Sequence, residues 1–218
     1  MGLFDIIFGL NSGKCGYYST WKLNGNVLTI SGTDDMYSYD TDFGVPYRNK
    51  RDKIHEVIIE NGIEVIGSFA FAGCKSLWKI KLPNSLTRIK DISFYGCTSL
   101  MEIKFPDSLK IIGTWAFCWC TSLTELNIPD SVEEIGYGAF QRCKNLQEVK
   151  ISSRIKEIGE FTFNGCTSLR EFIIPESVEE IGENVFKDCT NLQRIYYKSG
   201  APFVNKLNDG NTAELIPY

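Results

Sequence analysis

Apolar residues recur along this chain with a long, uninterrupted beat. Phe71, Phe94, Phe117, Phe140, Phe163 and Phe186 are 23 residues apart at every step. Leu77, Leu100, Leu123, Leu146, Leu169 and Leu192 keep the same interval, as do Ile66, Ile89, Ile112, Ile135, Ile158 and Ile181. Within each unit the polarity alternates over a short run, which is the pattern of a strand with one buried face. One such unit cannot bury its apolar side alone. Stacked units bury a continuous core, so the pattern predicts a repeat array.

The unit "CKSLWKIKLPNSLTRIKDISFYG" divides into three parts. Leu77, Ile80 and Leu82 lie on one face of a strand that Pro83 ends, because proline cannot donate to a ladder. Proline recurs at Pro106, Pro129 and Pro175, with Ser152 in its place once. A turn at Asn84-Ser85 leads to a second short extended piece, Leu86 to Ile89. The phenylalanine-bearing segment is expected to return the chain as a tight helical turn. Seven strands are expected: Glu56–Ile59, Lys79–Leu82, Glu102–Phe105, Glu125–Ile128, Glu148–Ile151, Glu171–Ile174 and Arg194–Tyr197. At about 4.8 Å per gap they would form a parallel sheet roughly 29 Å long.

A stack of open units needs covering at both ends. Residues 1–53 are expected to form an N-terminal cap. Its stretch "TWKLNGNVLTISG" reads as a β-hairpin about Asn24-Gly25, followed by a long polar covering loop from Thr33 to Lys53. Residues 54–198 are the array, and 199–218 a C-terminal cap with a short helix from Pro202 to Leu207. The apolar start "MGLFDIIFGL" reads as an arm packed on the body.

The pattern C-x-x-L-x-x-I-x-L-P-x-S-[LV]-x-x-I-G-x-x-A-F resembles the BspA-like leucine-rich repeats, also called the Treponema pallidum type. "KCGYYSTWKLNGNVLTISGTDDMYSYD" is similar to the segment that precedes such repeats, so the resemblance covers roughly residues 14–198. It implies a repeat solenoid, an α/β-type leucine-rich repeat that is mostly β and irregular. The expected form is a right-handed curved array of 23-residue units, with a parallel sheet on one face and an N-terminal β-hairpin cap. It also implies a binding protein, often at a bacterial surface or secreted. The start lacks a basic leader and a small-residue cleavage site, so the chain as written reads as cytoplasmic.

Charge narrows the partner. A net charge of −4 argues against nucleic acid, and no apolar run approaches the roughly 18 residues of a membrane span. Six of the eight cysteines occupy one ladder, at Cys74, Cys97, Cys120, Cys143, Cys166 and Cys189. A ladder spreads thiols along a line instead of converging them on a metal, so they read as free buried thiols rather than paired rungs. Cys118 lies off the ladder, in a mixed row with Ala72, Tyr95, Gln141, Asn164 and Lys187, and is expected to be an exposed thiol.

Two surfaces are candidates for function. On the sheet, outward rows carry Glu56, Lys79, Glu102, Glu125, Glu148, Glu171 and Arg194, beside Ile58, Lys81, Lys104, Asn127, Lys150, Ile173 and Tyr196. Glu125 and Glu148 on adjacent rungs have the spacing of a retaining glycosidase pair, about 5 Å. Every neighbouring pair shares that spacing on an open face, so no catalytic residues, cofactor or metal are expected. On the returning segments, Phe69, Tyr95, Trp115, Trp119 and Tyr137 suggest an exposed aromatic ridge, or else cover for neighbouring loops. The expected function is non-enzymatic binding of a protein or peptide by a monomer. A surface adhesin for glycan or matrix and a purely structural spacer stand as alternatives. Partner-binding candidates are Phe69, Tyr95, Trp115, Trp119 and Tyr137 on the ridge. On the sheet they are Lys81, Glu102, Lys104, Glu125, Asn127, Glu148, Lys150 and Tyr196.

Overall fold

The computed structural model describes residues 11–207 and 211–218. The arm expected at 1–10 lies outside them. Each 23-residue unit makes one coil of a β-solenoid. Every coil has three sides, and each side stacks on the same side of the next coil, mostly through backbone hydrogen bonds.

The first side holds the strands Glu56–Ile59, Lys79–Lys81, Glu125–Asn127, Glu148–Lys150, Glu171–Ile173 and Arg194–Tyr197. Their pairing is parallel and one unit apart, with Val57 opposite Ile80, Leu126 opposite Val149 and Phe172 opposite Ile195. Six of the expected seven strands are therefore present. The seventh, Glu102–Phe105, is not: none of its four residues makes a backbone–backbone hydrogen bond among the described residues. The position that holds Ile59, Leu82, Ile128, Ile151, Ile174 and Tyr197 elsewhere holds Phe105 here. Its ring meets Phe117 edge-on at 5.7 Å.

The second extended piece forms a sheet of its own. Ile63–Ile66, Arg88–Ile89, Ile111–Ile112 and Glu134–Ile135 pair in parallel along the array, and Glu157–Ile158 pairs with Glu180–Ile181. The third side is not helical as expected. Among the described residues the only helices are short 3-10 segments, Asp42–Gly44, Arg48–Lys53 and Val204–Lys206. None is long and apolar enough to cross a membrane. On this side the backbone N–H groups alternate: Phe94 donates to Ala116 and Phe117 to Ala139 in the next coil, each at 2.8 Å, while Cys97 and Cys120 close tight turns onto Phe94 and Phe117 at 3.1 Å.

The core runs along the axis. Phe71, Phe94, Phe117, Phe140, Phe163 and Phe186 stack nearly parallel, with centroids 5.0–6.2 Å apart. The cysteine ladder runs beside them as free, buried thiols. From Cys97 onward, five of the six ladder thiols donate to a phenylalanine carbonyl one coil back, Cys97 to Phe71 at 3.2 Å through Cys189 to Phe163 at 3.1 Å. A thiol fits this position because it is apolar enough to bury and still supplies a weak donor.

A serine ladder closes the corner after the first strand. Ser85, Ser108 and Ser177 donate to the carbonyls of Ile63, Leu86 and Ile155 at 2.6–2.7 Å. The irregular unit "ISSRIKEIG" keeps the bond by other means. Arg154 stands where serine would be, and Ser152, in the proline position, donates to Val132 at 2.6 Å. The two departures from the repeat thus offset each other.

At the N-terminal end, Ser19–Asn24 and Val27–Gly32 form an antiparallel hairpin. Gly25, at φ 60°, opens its two-residue turn. Val27–Ile30 then pairs in parallel with Glu56–Ile59. The stretch expected as a bare loop does more: Asp34–Asp35 joins the second sheet, and Tyr47 is fully buried and stacks on Phe71 at 6.0 Å. At the other end the expected helix is only the 3-10 turn Val204–Lys206, and Glu214–Pro217 adds a parallel strand beside Arg194–Tyr197.

Candidate interaction surfaces

The sheet face is built by outward residues of the first side. Its register places Glu125 beside Glu148 and Asn127 beside Lys150. These four, with Glu102 and Lys104, line one open depression of ≈ 570 Å³. Lys81 lies in an adjoining depression with Trp78 and Met101, and Tyr196 is half-buried at the far end of the array. Much of the charge is paired: Lys79 with Glu56 at 2.8 Å, Lys104 with Glu102 at 3.2 Å, and Arg194 with Glu171. Exposed pairs of this kind contribute little stability, on the order of 0–1 kcal/mol. Among the described residues no three His, Cys, Asp or Glu side chains converge as a metal site requires.

Trp78 and Met101 are the two residues on this face that the repeat pattern did not single out. Both are exposed, at 47% and 56%. They succeed His55 in a row that continues as Thr124, Gln147, Arg170 and Gln193, and so mixed a row hid them.

The turn side is built differently. Every coil here has two left-handed backbone positions, four residues apart. The first row is Phe69, Ile92, Trp115, Gly138, Phe161 and Asn184, with φ from 51° to 62°. The second is Gly73, Gly96, Trp119, Arg142, Gly165 and Asp188, with φ from 60° to 71°. Glycine adopts this conformation freely, and asparagine tolerates it. A residue with a larger side chain costs roughly 1–2 kcal/mol, more for β-branched Ile92. One coil carries tryptophan at both positions.

Trp115 is 37% exposed, Tyr95 39% and Tyr137 38%. Phe69 and Trp119 are half-buried. Trp115 meets Tyr137 edge-on at 5.4 Å, and Tyr137 lies 5.4 Å from Phe161. The indole of Trp115 covers Gly138, where an added Cβ would come within 2.6 Å of the ring. The ridge therefore both roofs the neighbouring coil and shows its outer edge to solvent. Trp119 carries two cations, the Arg142 guanidinium 4.7 Å and the Lys144 ammonium 5.5 Å from its ring centroid. The sequence reading missed both, although Arg142 follows Trp119 by one 23-residue step.

The mixed row is exposed at Tyr95 and Lys187 but buried at Ala72, Cys118 and Asn164. Cys118 is only 2% accessible. Neighbouring coils give the row's polar members partners. Cys118 donates to Gln141 at 3.7 Å, Gln141 to Asn164 at 3.0 Å, and Asn164 to the Lys187 carbonyl at 2.9 Å. Burial pushes the Cys118 thiol up to about 12, against a smaller opposing pull from Arg142. The expected exposed thiol is a buried, protonated one.

The likeness to known proteins follows the repeat. In overall structure the chain is similar to the T. pallidum leucine-rich repeat protein, at 28% identity and a TM-score of 0.66, over 93% of this chain and 100% of that one. It is also similar to a leucine-rich repeat protein from Bacteroides ovatus, at 23% identity and a TM-score of 0.57, over 84% of this chain and 64% of that one. No curated protein matches the sequence. The BspA type leucine rich repeat region matches residues 47–125 and 87–208, with 6 copies. Those spans take in most of the coils, and the chain belongs to the BspA type leucine-rich repeat family.

Proposed function

We propose that this chain is a non-enzymatic binding module whose aromatic ridge, centred on Trp115 and Trp119, grips a protein or peptide. One observation carries the reading: bulky aromatics occupy left-handed positions where glycine or asparagine serves elsewhere in the same rows. A backbone cost that the fold can avoid is retained where the surface gains rigid, partly exposed aromatic area. Strain of this kind gathers at functional sites, and aromatic side chains on a rigid frame lose little entropy when a partner orders them. The repeat scaffold is a general framework for protein interaction. On the sheet face Glu56, Lys79, Glu102, Lys104, Glu171 and Arg194 pair with one another, which leaves Lys81, Glu125, Glu148 and Lys150 as the charges it offers a partner.

The test replaces the pair by residues that the same rows already accept, Trp115→Asn and Trp119→Gly. The double variant should melt within a few degrees of the parent, because relief of strain offsets part of the lost packing. It should retain its partner at least tenfold less well, the equivalent of about 1.4 kcal/mol. Undiminished retention by the folded variant would move the site to the sheet face, around Lys104, Glu125 and Lys150.

A further inference from the structure

We infer that the ridge takes an acidic, aromatic-bearing peptide segment, with its carboxylates on Arg142 and Lys144 and its apolar side chains on Trp115 and Tyr137. The inference rests on the binding reading above and names the chemistry of the partner.

Charge complementarity points there. The protein as a whole carries −4, and many of its basic side chains are tied up in ion pairs. Arg142 and Lys144 are exposed and enter no ion pair among the described residues. Instead both lie against the ring of Trp119. Two like charges held together on a ring repel each other, and a carboxylate between them would relieve the repulsion. A guanidinium stacked on an aromatic ring still presents its N–H edge, so Arg142 can accept a carboxylate without giving up Trp119.

The surroundings are shaped for it. The rungs either side of Trp119 and Arg142 in their row are Gly96 and Gly165, and nothing lies within 4 Å of a Cβ added at Gly96. The next row puts Thr98, Thr121 and Thr167 beside Lys144. This strip of small, uncharged residues has the two cations at its centre. The aromatic series Trp115, Tyr137 and Phe161 runs parallel to it, one ring per coil at 5.4 Å. That combination suits alternating acidic and apolar side chains. It suits a sulfated glycan less well, because Glu160, Glu183 and Asp188 follow on later coils, where a dense polyanion would meet them.

The experiment is fluorescence anisotropy on the full chain with four fluorescein-labelled octapeptides, (Glu-Phe)4, (Glu-Ser)4, (Ser-Phe)4 and (Lys-Phe)4, and with a labelled heparin octasaccharide. The inference expects (Glu-Phe)4 to bind at least tenfold more tightly than (Lys-Phe)4 and several-fold more tightly than either single-feature peptide, with affinity falling as salt rises. Arg142→Glu with Lys144→Glu should weaken it at least tenfold, whereas Lys75→Glu, in the same row as Lys144, should not. Circular dichroism and melting establish that each variant is folded. Equal binding of all peptides, or indifference to the Arg142 and Lys144 changes, would overturn the inference. Tighter binding of heparin than of (Glu-Phe)4 would also overturn it, in favour of an anionic glycan. If the charge reversal has no effect while Trp115→Asn/Trp119→Gly still abolishes retention of the natural partner, the ridge stands and the acidic-peptide assignment falls. If neither variant alters that retention, the binding reading itself fails.

Discussion

Removing one rung of the thiol ladder measures what the ladder contributes. Cys120 is fully buried, packs in the middle of the array and donates to the Phe94 carbonyl at 3.3 Å. That carbonyl also accepts from the Cys97 N–H at 3.1 Å, so deleting the thiol does not orphan it. Cys120→Ala therefore loses three modest contributions. Withdrawing one sulfur-sized apolar group from the core costs about 0.8 kcal/mol, the void left behind about 0.5 kcal/mol, and the weak hydrogen bond about 0.5 kcal/mol. The sum is about 2 kcal/mol, or roughly 4–8 °C in melting temperature for a chain of this length. Cys118→Ala is the control, since the same row already accommodates Ala72, and it should cost less than about 1 kcal/mol. Urea titration followed by circular dichroism, under reductant, gives both values. A Cys120→Ala protein that melts within 1 °C of the parent, or a Cys118→Ala protein that loses more, would refute the reasoning.

Other expectations concern thiols, backbone and ends. Burial raises the ladder thiols, Cys74 and Cys189 to about 12, while unfolded cysteine ionises near about 8.5. The folded state then holds protons that the unfolded state releases, so stability is complete below about pH 8.5 and declines above it. Melting should fall between pH 8.5 and 10, and a flat profile would contradict the assignment. Native alkylation at pH 8 should spare Cys118 along with the ladder, and full denaturation without reductant should release all eight thiols. Hydrogen exchange should be faster at Glu102–Phe105 than at Glu125–Asn127 or Glu148–Lys150, because the first run lacks the ladder bonds of the other two; equal protection would show that the ladder is closed in solution. Deleting residues 1–53 should expose Val57 and Ile59, now covered by the paired strand Val27–Ile30, and cause aggregation. A monomeric truncated chain with unchanged melting would make that segment an appendage, not a cap.

The 23-residue beat was enough to read the coil, its inward rows and six first-side strands, because burial in a solenoid repeats with the sequence. What escaped notice depended on contacts between coils. The run Glu102–Phe105 keeps the alternation of its row-mates, so its lack of ladder bonds did not show in the pattern. The burial of Cys118 depends on partners 23 and 46 residues ahead, Gln141 and Asn164. The turn side read as helical because its local spacing suits a helix. Every second backbone N–H there donates to the next coil, which local spacing does not reveal. At the candidate site the aromatics were legible as row-mates, but the left-handed backbone beneath them and the two cations on Trp119 were visible only in three dimensions.

The central claim is that partners are held by the turn-side ridge. Site-specific photo-crosslinking tests it most directly, with benzoylphenylalanine placed at Tyr95, at the ridge margin, or at Asn127, in the sheet-face depression, and irradiated in the cells that make the protein. The account predicts a discrete crosslinked species from position 95, lost in the Trp115→Asn/Trp119→Gly background, and none from position 127. A discrete species from position 127 with none from position 95 would contradict it.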